Sequence, residues 1–193
     1  QWQRVASFRS FYLPGGDKAG RELWRSALAL CWETQHPWDS PLLDTTLLYH
    51  AWQQRLNCPS TTAVGRLFDA AAALTGLLHY ASFEGQGPMW LEAVCTDSTT
   101  WIDLPLQSNS VGLWQTDWAP LLDYLLDNRL SVAERATGFH NSLAVALLAQ
   151  AQQIRADYPF GQIGLCGGVF QNRYLTEKSI KLLNNQGFTV YLP

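Results

Sequence analysis

Near the end of the chain, two glycines follow a short apolar run, and an asparagine comes soon after them. The run 163–166 is typical of a buried strand, and the residues after Gly167 and Gly168 have helical spacing. A glycine pair between a strand and a helix lets backbone N–H groups approach a ligand, and the amide of Asn172 can bind a sugar hydroxyl or a base edge. The segment predicts a nucleotide site, with a plain strand-to-helix turn as the alternative.

The polar residues upstream have local explanations when they are taken one at a time. Asp69 and Arg66 are three positions apart on a predicted helix and can pair on its solvent face. Gly85 can supply a positive φ in an exposed loop. Asp17 can act as the N-cap of a helix after the turn at 13–16. Periodicity alone therefore leaves the roles of these residues open.

Three segments stand out in order along the chain: Leu-Pro-Gly-Gly-Asp at 13–17 with Arg-Glu-Leu-Trp-Arg-Ser-Ala at 21–27, Gly-Arg-Leu-Phe-Asp-Ala-Ala-Ala-Ala-Leu at 65–74 with Phe-Glu-Gly-Gln at 83–86, and Gly-Gly-Val-Phe-Gln-Asn-Arg at 167–173. They resemble the HypF family, the carbamoyltransferases of nickel–iron hydrogenase maturation. The acidic helix, the glycine turn and the Gly-Gly-x-x-x-Asn element are also similar to TsaD, the tRNA threonylcarbamoyl transferase. Three ordered matches are far more specific than a single motif.

The resemblance implies a nucleotide cleft with two walls. On one wall Asp69 would bind the ribose, because a carboxylate can accept hydrogen bonds from both hydroxyls. On the other, the glycine pair and the asparagine would lie near the adenine. The turn at 84–86 has a single matched glycine between Glu and Gln, which resembles HypF rather than TsaD. The implied nucleotide-binding residues are Asp69, Glu84, Gly85, Gln86, Gly167, Gly168 and Asn172, with Gly15 and Gly16 as further cleft residues.

The resemblance also implies an activity, substrates and a partner. In HypF enzymes carbamoyl phosphate and ATP give carbamoyl-adenylate, and the carbamoyl group passes to the C-terminal cysteine of HypE, where it becomes a cyanide ligand of the hydrogenase. The rival hypotheses are a TsaD-type transferase acting on tRNA and a non-catalytic, Trp-rich docking domain. The sequence identifies no catalytic residue. A metal ion is expected in the transfer domain of such enzymes, but the chain has no His-x-x-x-His, so we expect no metal site here.

Composition narrows the class of protein. The net charge of −3 argues against binding to a phosphate backbone, and no apolar run approaches the length of a membrane helix. The four cysteines are scattered, and Cys31 and Cys166 are expected to be reduced core residues of a cytoplasmic protein. Cys166 is not expected to be a nucleophile, because a buried thiol forms little thiolate. We expect His140 and most of the nine tryptophans to pack in the interior.

The elements that would position these residues are mostly helices. The resemblance implies an α/β fold of the actin/hexokinase/Hsp70-like type. We expect 1–193 to be part of a TsaD-like transfer domain, mostly its second lobe with helical insertions, and a fragment of a larger protein. The patterns predict a small mixed sheet with a parallel pair. The predicted elements are an edge strand at 2–8, helices at 17–33, 42–56, from 61 or 62, at 88–95, 118–128, 131–156 and 169–186, a hairpin of 99–105 with 111–116, and parallel strands at 162–166 and 188–192.

Overall fold

A computed structural model describes residues 2–42 and 44–193, so that Leu43, expected in the second helix, lies outside the described residues. Helices dominate it. No helix in these ranges is both long and apolar enough to cross a membrane. The helices are α1 Trp24–Thr34, α2 Thr46–Gln53, α3 Val64–Leu74, α4 Gln86–Ala93, α5 Leu121–Leu125, α6 Val132–Asp157 and α7 Arg173–Asn185. The strands are β1 Ala6–Phe8, β2 Phe11–Tyr12, β3 Ser60–Thr61, β4 Leu106–Ser108, β5 Trp114–Thr116, β6 Gln162–Gly164 and β7 Thr189–Tyr191.

The strands are divided among three small sheets rather than gathered into one. The first has the order β1-β5-β4 and is mixed, because β1 runs parallel to β5 while β4 runs antiparallel to it. The second pairs β2 with β3 antiparallel. In the third, β6 and β7 are parallel, as the spacing around α7 predicts.

Helix α6 lies at the centre of the fold. It has 26 residues and begins at a capping box, in which the Ser131 hydroxyl accepts from the Glu134 N–H and the Glu134 carboxylate accepts from the Ser131 N–H. Every residue from Arg135 to Ala144 is buried, so neighbouring elements surround this half of the helix. The main core joins α6 to α1, α3 and α4, and a smaller core of Ala151, Leu165, Leu183 and Phe188 joins its C-terminal half to the β6-α7-β7 unit.

The largest departures from the predicted elements are in the first helix and in the hairpin. The predicted helix 17–33 is a 3-10 helix at Gly16–Gly20 followed by α1, and Asp17 is not its N-cap, because Gly15 holds that position with φ +85°. The predicted hairpin exists, but its first strand begins at Leu106 and not at 99.

The absence of a strand before Leu106 has a physical cause in α6. Among the described residues, the backbone groups that a partner strand would take are bonded instead to side chains of that helix. Asn141 Nδ2 donates to the carbonyls of Ser98 at 2.9 Å and Thr100 at 2.8 Å. The backbone N–H of Ile102 donates to Ser142 Oγ at 2.8 Å. These three backbone groups therefore have partners that a neighbouring strand would otherwise provide.

Tryptophan takes both interior and surface positions. Trp24, Trp52 and Trp118 are buried, as expected for core packing, whereas Trp90 and Trp101 are 42% and 48% exposed. Indole packing thus explains only part of the tryptophan content.

Gly138 allows α5 to pack closely against α6. A Cβ at this position would lie 2.5 Å from Tyr124 Cε1 and Cζ. We predict that Gly138→Ala destabilises the protein by about 1–3 kcal/mol, because overpacking outweighs the helix propensity gained from alanine. Urea unfolding measures the loss. Gly65→Ala is the matched helical control, since a Cβ there meets nothing within 4 Å, and equal stability of the two variants would contradict the clash.

Candidate functional site

A cavity of about 560 Å³ opens between three segments that are distant in sequence. The first is the N-terminal half of α3, the second is the turn at 84–85 with α4, and the third is the 168–172 segment before α7. Cavities of this size hold small ligands. Its lining consists of Gly65, Arg66, Phe68, Asp69, Glu84, Gly85, Pro88, Met89, Glu92, Gly168, Val169, Gln171 and Asn172.

The carboxylate of Asp69 is the most unusual group in this cavity. Its side chain is 5% exposed, and Arg66 Nη1 lies 2.9 Å from its Oδ2. The distance is that of a close ion pair, but no donor among the described residues meets Oδ2 at a favourable hydrogen-bond angle. Desolvation raises the pKa of Asp69 to about 6, the Arg66 charge opposes this, and the Glu84 charge adds to it. Asp69 is thus a buried acceptor that the described protein leaves without a well-directed hydrogen bond.

Helical spacing accounts for the cavity residues on α4. Pro88, Met89 and Glu92 follow the N-cap Gly85 at three, four and seven positions, so they share one face of the helix. The backbone N–H of Tyr174 donates to Glu92 Oε1 at 3.1 Å, which connects this face to the first turn of α7. The i, i+3, i+4, i+7 pattern starting at Gly85 is visible in the sequence and is the signal by which these residues could have been found.

Asn172 is the N-cap of α7 as well as a cavity residue. Its Oδ1 accepts a hydrogen bond from the Leu175 N–H at 2.8 Å, and its Nδ2 lies 2.9 Å from His140 Nε2. The residue is only 6% exposed. The predicted ligand-binding amide therefore also stabilises the helix, a second role that the glycine pair does not indicate.

The structure brings together five of the predicted nucleotide-binding residues, namely Asp69, Glu84, Gly85, Gly168 and Asn172. Gly167 does not line the cavity and comes directly before the lining residue Gly168. Of these two glycines, only Gly167 has a positive φ, +97°, which favours glycine. Gln86 is buried behind the cavity, where its Oε1 accepts from the Ser82 N–H at 2.7 Å.

Three expectations about residues near the cavity are corrected by the geometry. Gly15 and Gly16 do not line it; they form a turn in which the Gly15 N–H donates to the Asn57 carbonyl. Cys166 is exposed and not buried, and it lies outside β6, which ends at Gly164. The Arg66–Asp69 pair forms, but at the cavity wall rather than on a solvent face.

Comparison of the sequence with known proteins shows which family the chain belongs to. The family described as "Carbamoyltransferase, Kae1-like Domain, second subdomain" matches residues 1–193. The chain belongs to this carbamoyltransferase family. It is 33% identical over 217 residues to carbamoyltransferase HypF of Synechocystis and 31% identical over 199 residues to that of Rhizobium leguminosarum, in both cases over 100% of the chain. It covers 28% and 26% of these relatives, so it spans about a quarter of their length.

Solved structures show the same relationship. A full-length HypF, described as phosphate- and nucleotide-bound, matches with a TM-score of 0.89 and 26% identity, over 100% of this chain and 26% of its own. HypF of T. kodakarensis shares the fold with a TM-score of 0.84 and 18% identity, over 98% and 27% of the two chains. The resemblance to the HypF family and the actin/hexokinase/Hsp70-like fold class are confirmed.

The buried carboxylate generates a prediction about stability. A raised pKa means that the folded protein binds more protons than the unfolded one between the ordinary value of 3.8 and about 6, so the free energy of unfolding falls as pH rises through this window. Asp69→Asn removes that penalty and is expected to stabilise the protein by about 1–3 kcal/mol at pH 7.5, with no gain near pH 3.5. Urea unfolding at both pH values measures it. Asp103→Asn, at an exposed position, is the control, and a loss of stability at pH 7.5 would contradict the penalty.

The chain is predicted to hold no tightly bound metal. Within residues 2–42 and 44–193, no three His, Cys, Asp or Glu side chains are grouped so that they could hold an ion. The residues present thus do not fit the metal ion that the resemblance implies for such enzymes. Elemental analysis of protein washed with chelator is expected to give far less than one metal per chain, and a stoichiometric metal would contradict the prediction.

Proposed function

We propose that the cavity binds the nucleoside part of an adenine nucleotide, ATP or carbamoyl-adenylate, and that the chain acts in carbamoyl transfer. The observation that carries the proposal is the buried Asp69 carboxylate, whose Oδ2 is paired with the Arg66 guanidinium but receives no well-directed hydrogen bond from the described protein. Burying such an acceptor costs free energy unless a ligand satisfies it. The two hydroxyls of a ribose are donors of the required kind.

The charges of the cavity indicate which part of the nucleotide it would take. Asp69, Glu84 and Glu92 line it together with a single guanidinium, that of Arg66. This acidic balance disfavours phosphate groups and favours donors such as ribose hydroxyls and the adenine amino group. The phosphates would therefore extend from the cavity past Gly168, where no side chain stands between the ligand and the backbone.

Apolar groups complete the fit to a nucleoside. Pro88, Met89 and Val169 line the same cavity as the carboxylates. A base needs such flat apolar contact, with a few placed polar groups to fix its orientation. The full-length HypF related to this chain is itself described as nucleotide-bound, which supports the same ligand class.

The family supports the wider activity. HypF relatives are named carbamoyltransferases, and this favours the HypF hypothesis over a TsaD-type transferase or a docking domain. The proposed reaction passes a carbamoyl group from carbamoyl-adenylate, made from carbamoyl phosphate and ATP, to the C-terminal cysteine of HypE. The proposed setting is hydrogenase maturation in the cytoplasm, with neither nucleic acid nor membrane as a partner. The four cysteines are all free, as a reducing compartment requires.

Binding of ATP tests the proposal. Isothermal titration calorimetry at pH 7.5 is expected to detect binding to the chain, and Asp69→Asn is expected to weaken it about ten- to hundredfold, because hydrogen bonds to a charged group are worth about 1.5–3 kcal/mol. Intrinsic tryptophan fluorescence, to which Trp90 beside the cavity residue Met89 contributes, gives a second readout.

A surface variant serves as the control, and an assay in the complete protein extends the test. Asp103→Asn lies on the surface outside the cavity and is expected to bind ATP like the unsubstituted protein. In the complete protein, Asp69→Asn is expected to reduce carbamoyl transfer to HypE by a similar factor. Unchanged affinity in Asp69→Asn would show that the nucleoside is not bound at this carboxylate.

A further inference from the structure

A buried histidine stands directly behind the cavity wall and contacts none of the proposed ligand atoms. His140 lies in the middle of α6 and is fully buried. Its ring is enclosed edge-on by Phe68, Phe139 and Tyr174, with ring centres 5.1–5.9 Å away. Only one of its nitrogens, Nε2, reaches a cavity residue, which is Asn172 at 2.9 Å.

The partners of His140 determine its tautomer. Nδ1 lies 2.7 Å from the Ala136 carbonyl oxygen, which can only accept, so Nδ1 carries the hydrogen. Nε2 of the neutral ring is then an acceptor, and it faces Asn172 Nδ2. At the other end of the amide, Oδ1 accepts from the Leu175 N–H. Both ends therefore give the Asn172 amide the same orientation.

This arrangement leaves Asn172 with one unused donor. Nδ2 has two hydrogens, and His140 takes one of them. Oδ1 already accepts from the Leu175 N–H, and the remaining N–H is the one free donor that Asn172 can offer to the cavity it lines. Besides this amide, the charged groups of the cavity wall are the carboxylates of Asp69, Glu84 and Glu92 and the guanidinium of Arg66, so a fixed neutral donor here adds to what the site can recognise.

We infer that His140 is a positioning residue, which fixes the Asn172 carboxamide so that its free N–H donates to an acceptor atom of the bound nucleoside, a ring nitrogen or a ribose oxygen. The inference rests on the proposed nucleotide function. It adds a specificity element, because a flipped amide would present an oxygen to that atom and repel it.

The surroundings of His140 keep its ring neutral. Burial lowers the pKa of His140, while its bond to the Ala136 carbonyl and the charge of Glu92 oppose this. The other titratable groups that face the ring are Cys95, just after α4, with Sγ 3.3 Å from Nδ1, and Tyr174 of α7. A protonated ring would direct an N–H from Nε2 at the Asn172 Nδ2 donor and disrupt the arrangement.

The tautomer is measured directly and without any nucleotide. Long-range ¹H–¹⁵N spectra of the full chain labelled at histidine, with His140→Gln to assign its signals, are expected at pH 7.5 to show a neutral ring protonated at Nδ1. An Nε2–H tautomer or an imidazolium would overturn the inference. This NMR measurement identifies the tautomer whether or not the chain binds ATP.

Two substitutions test the effect on the ligand. His140→Phe keeps a ring in the aromatic enclosure but removes the acceptor, and it is expected to weaken ATP binding about five- to tenfold, the effect of roughly one neutral hydrogen bond. His140→Gln offers an amide oxygen in place of Nε2 and is expected to stay within about twofold of the unsubstituted protein.

The outcomes separate positioning from packing. Loss of affinity in His140→Phe with rescue in His140→Gln supports the inference, provided that thermal melts show both variants folded. Unchanged affinity in His140→Phe, or equal loss in both variants, would overturn it. If His140→Phe does not fold, an affinity loss of more than about fivefold in a folded His140→Gln would overturn it. If the unsubstituted chain binds no ATP, the proposed function fails and the ligand part of this inference fails with it, while the NMR arm still decides the amide orientation.

Discussion

The structure depends on the need to satisfy the polar side chains of a helix that is buried on every side. In α6 each polar residue from Arg135 to Ser142 has a partner outside the helix, and three of these residues bond to the same segment, 96–102. Arg135 donates to the Thr75 and Leu125 carbonyls, and Thr137 accepts from the Thr96 N–H. A buried polar group without a partner costs about 1–3 kcal/mol, so each of these bonds restricts where a neighbouring segment can lie. The helix therefore acts as a template for the loops around it.

The cavity is a consequence of that template. The same helix that holds the loop after α4 also carries His140, and His140 holds the N-cap of α7. Helix α6 thus holds two walls of the cavity, α4 and the segment before α7. The Glu92 carboxylate also joins these walls directly, because it accepts from the Tyr174 N–H. A site built in this way keeps its shape without a ligand, which reduces the ordering cost of binding.

Periodicity and motifs predicted much of this from the sequence, and the misses have a common cause. Long helices with strong patterns, such as α6 and α7, were predicted within a few residues, as was the parallel pairing of β6 and β7. Asp69 and Asn172, about a hundred positions apart, do line one cavity. The segment before Leu106 was predicted as a strand because its alternation resembles one, but its backbone partners are side chains of α6. Partners distant in sequence leave no local pattern.

The two main polar residues of the cavity affect the stability of the fold in opposite ways: Asp69 lowers it and Asn172 raises it. Asp69 is held at a cost, since its pKa is raised to about 6 by a burial that the nearby guanidinium only partly offsets. Asn172 stabilises the fold through both ends of its amide. A site residue that destabilises the protein has no structural reason to be there, whereas one that also caps a helix is explained by the fold alone. Asp69 is therefore the stronger evidence that the cavity holds a ligand, and Asn172 contributes to that evidence only through the one hydrogen that neither His140 nor the helix uses.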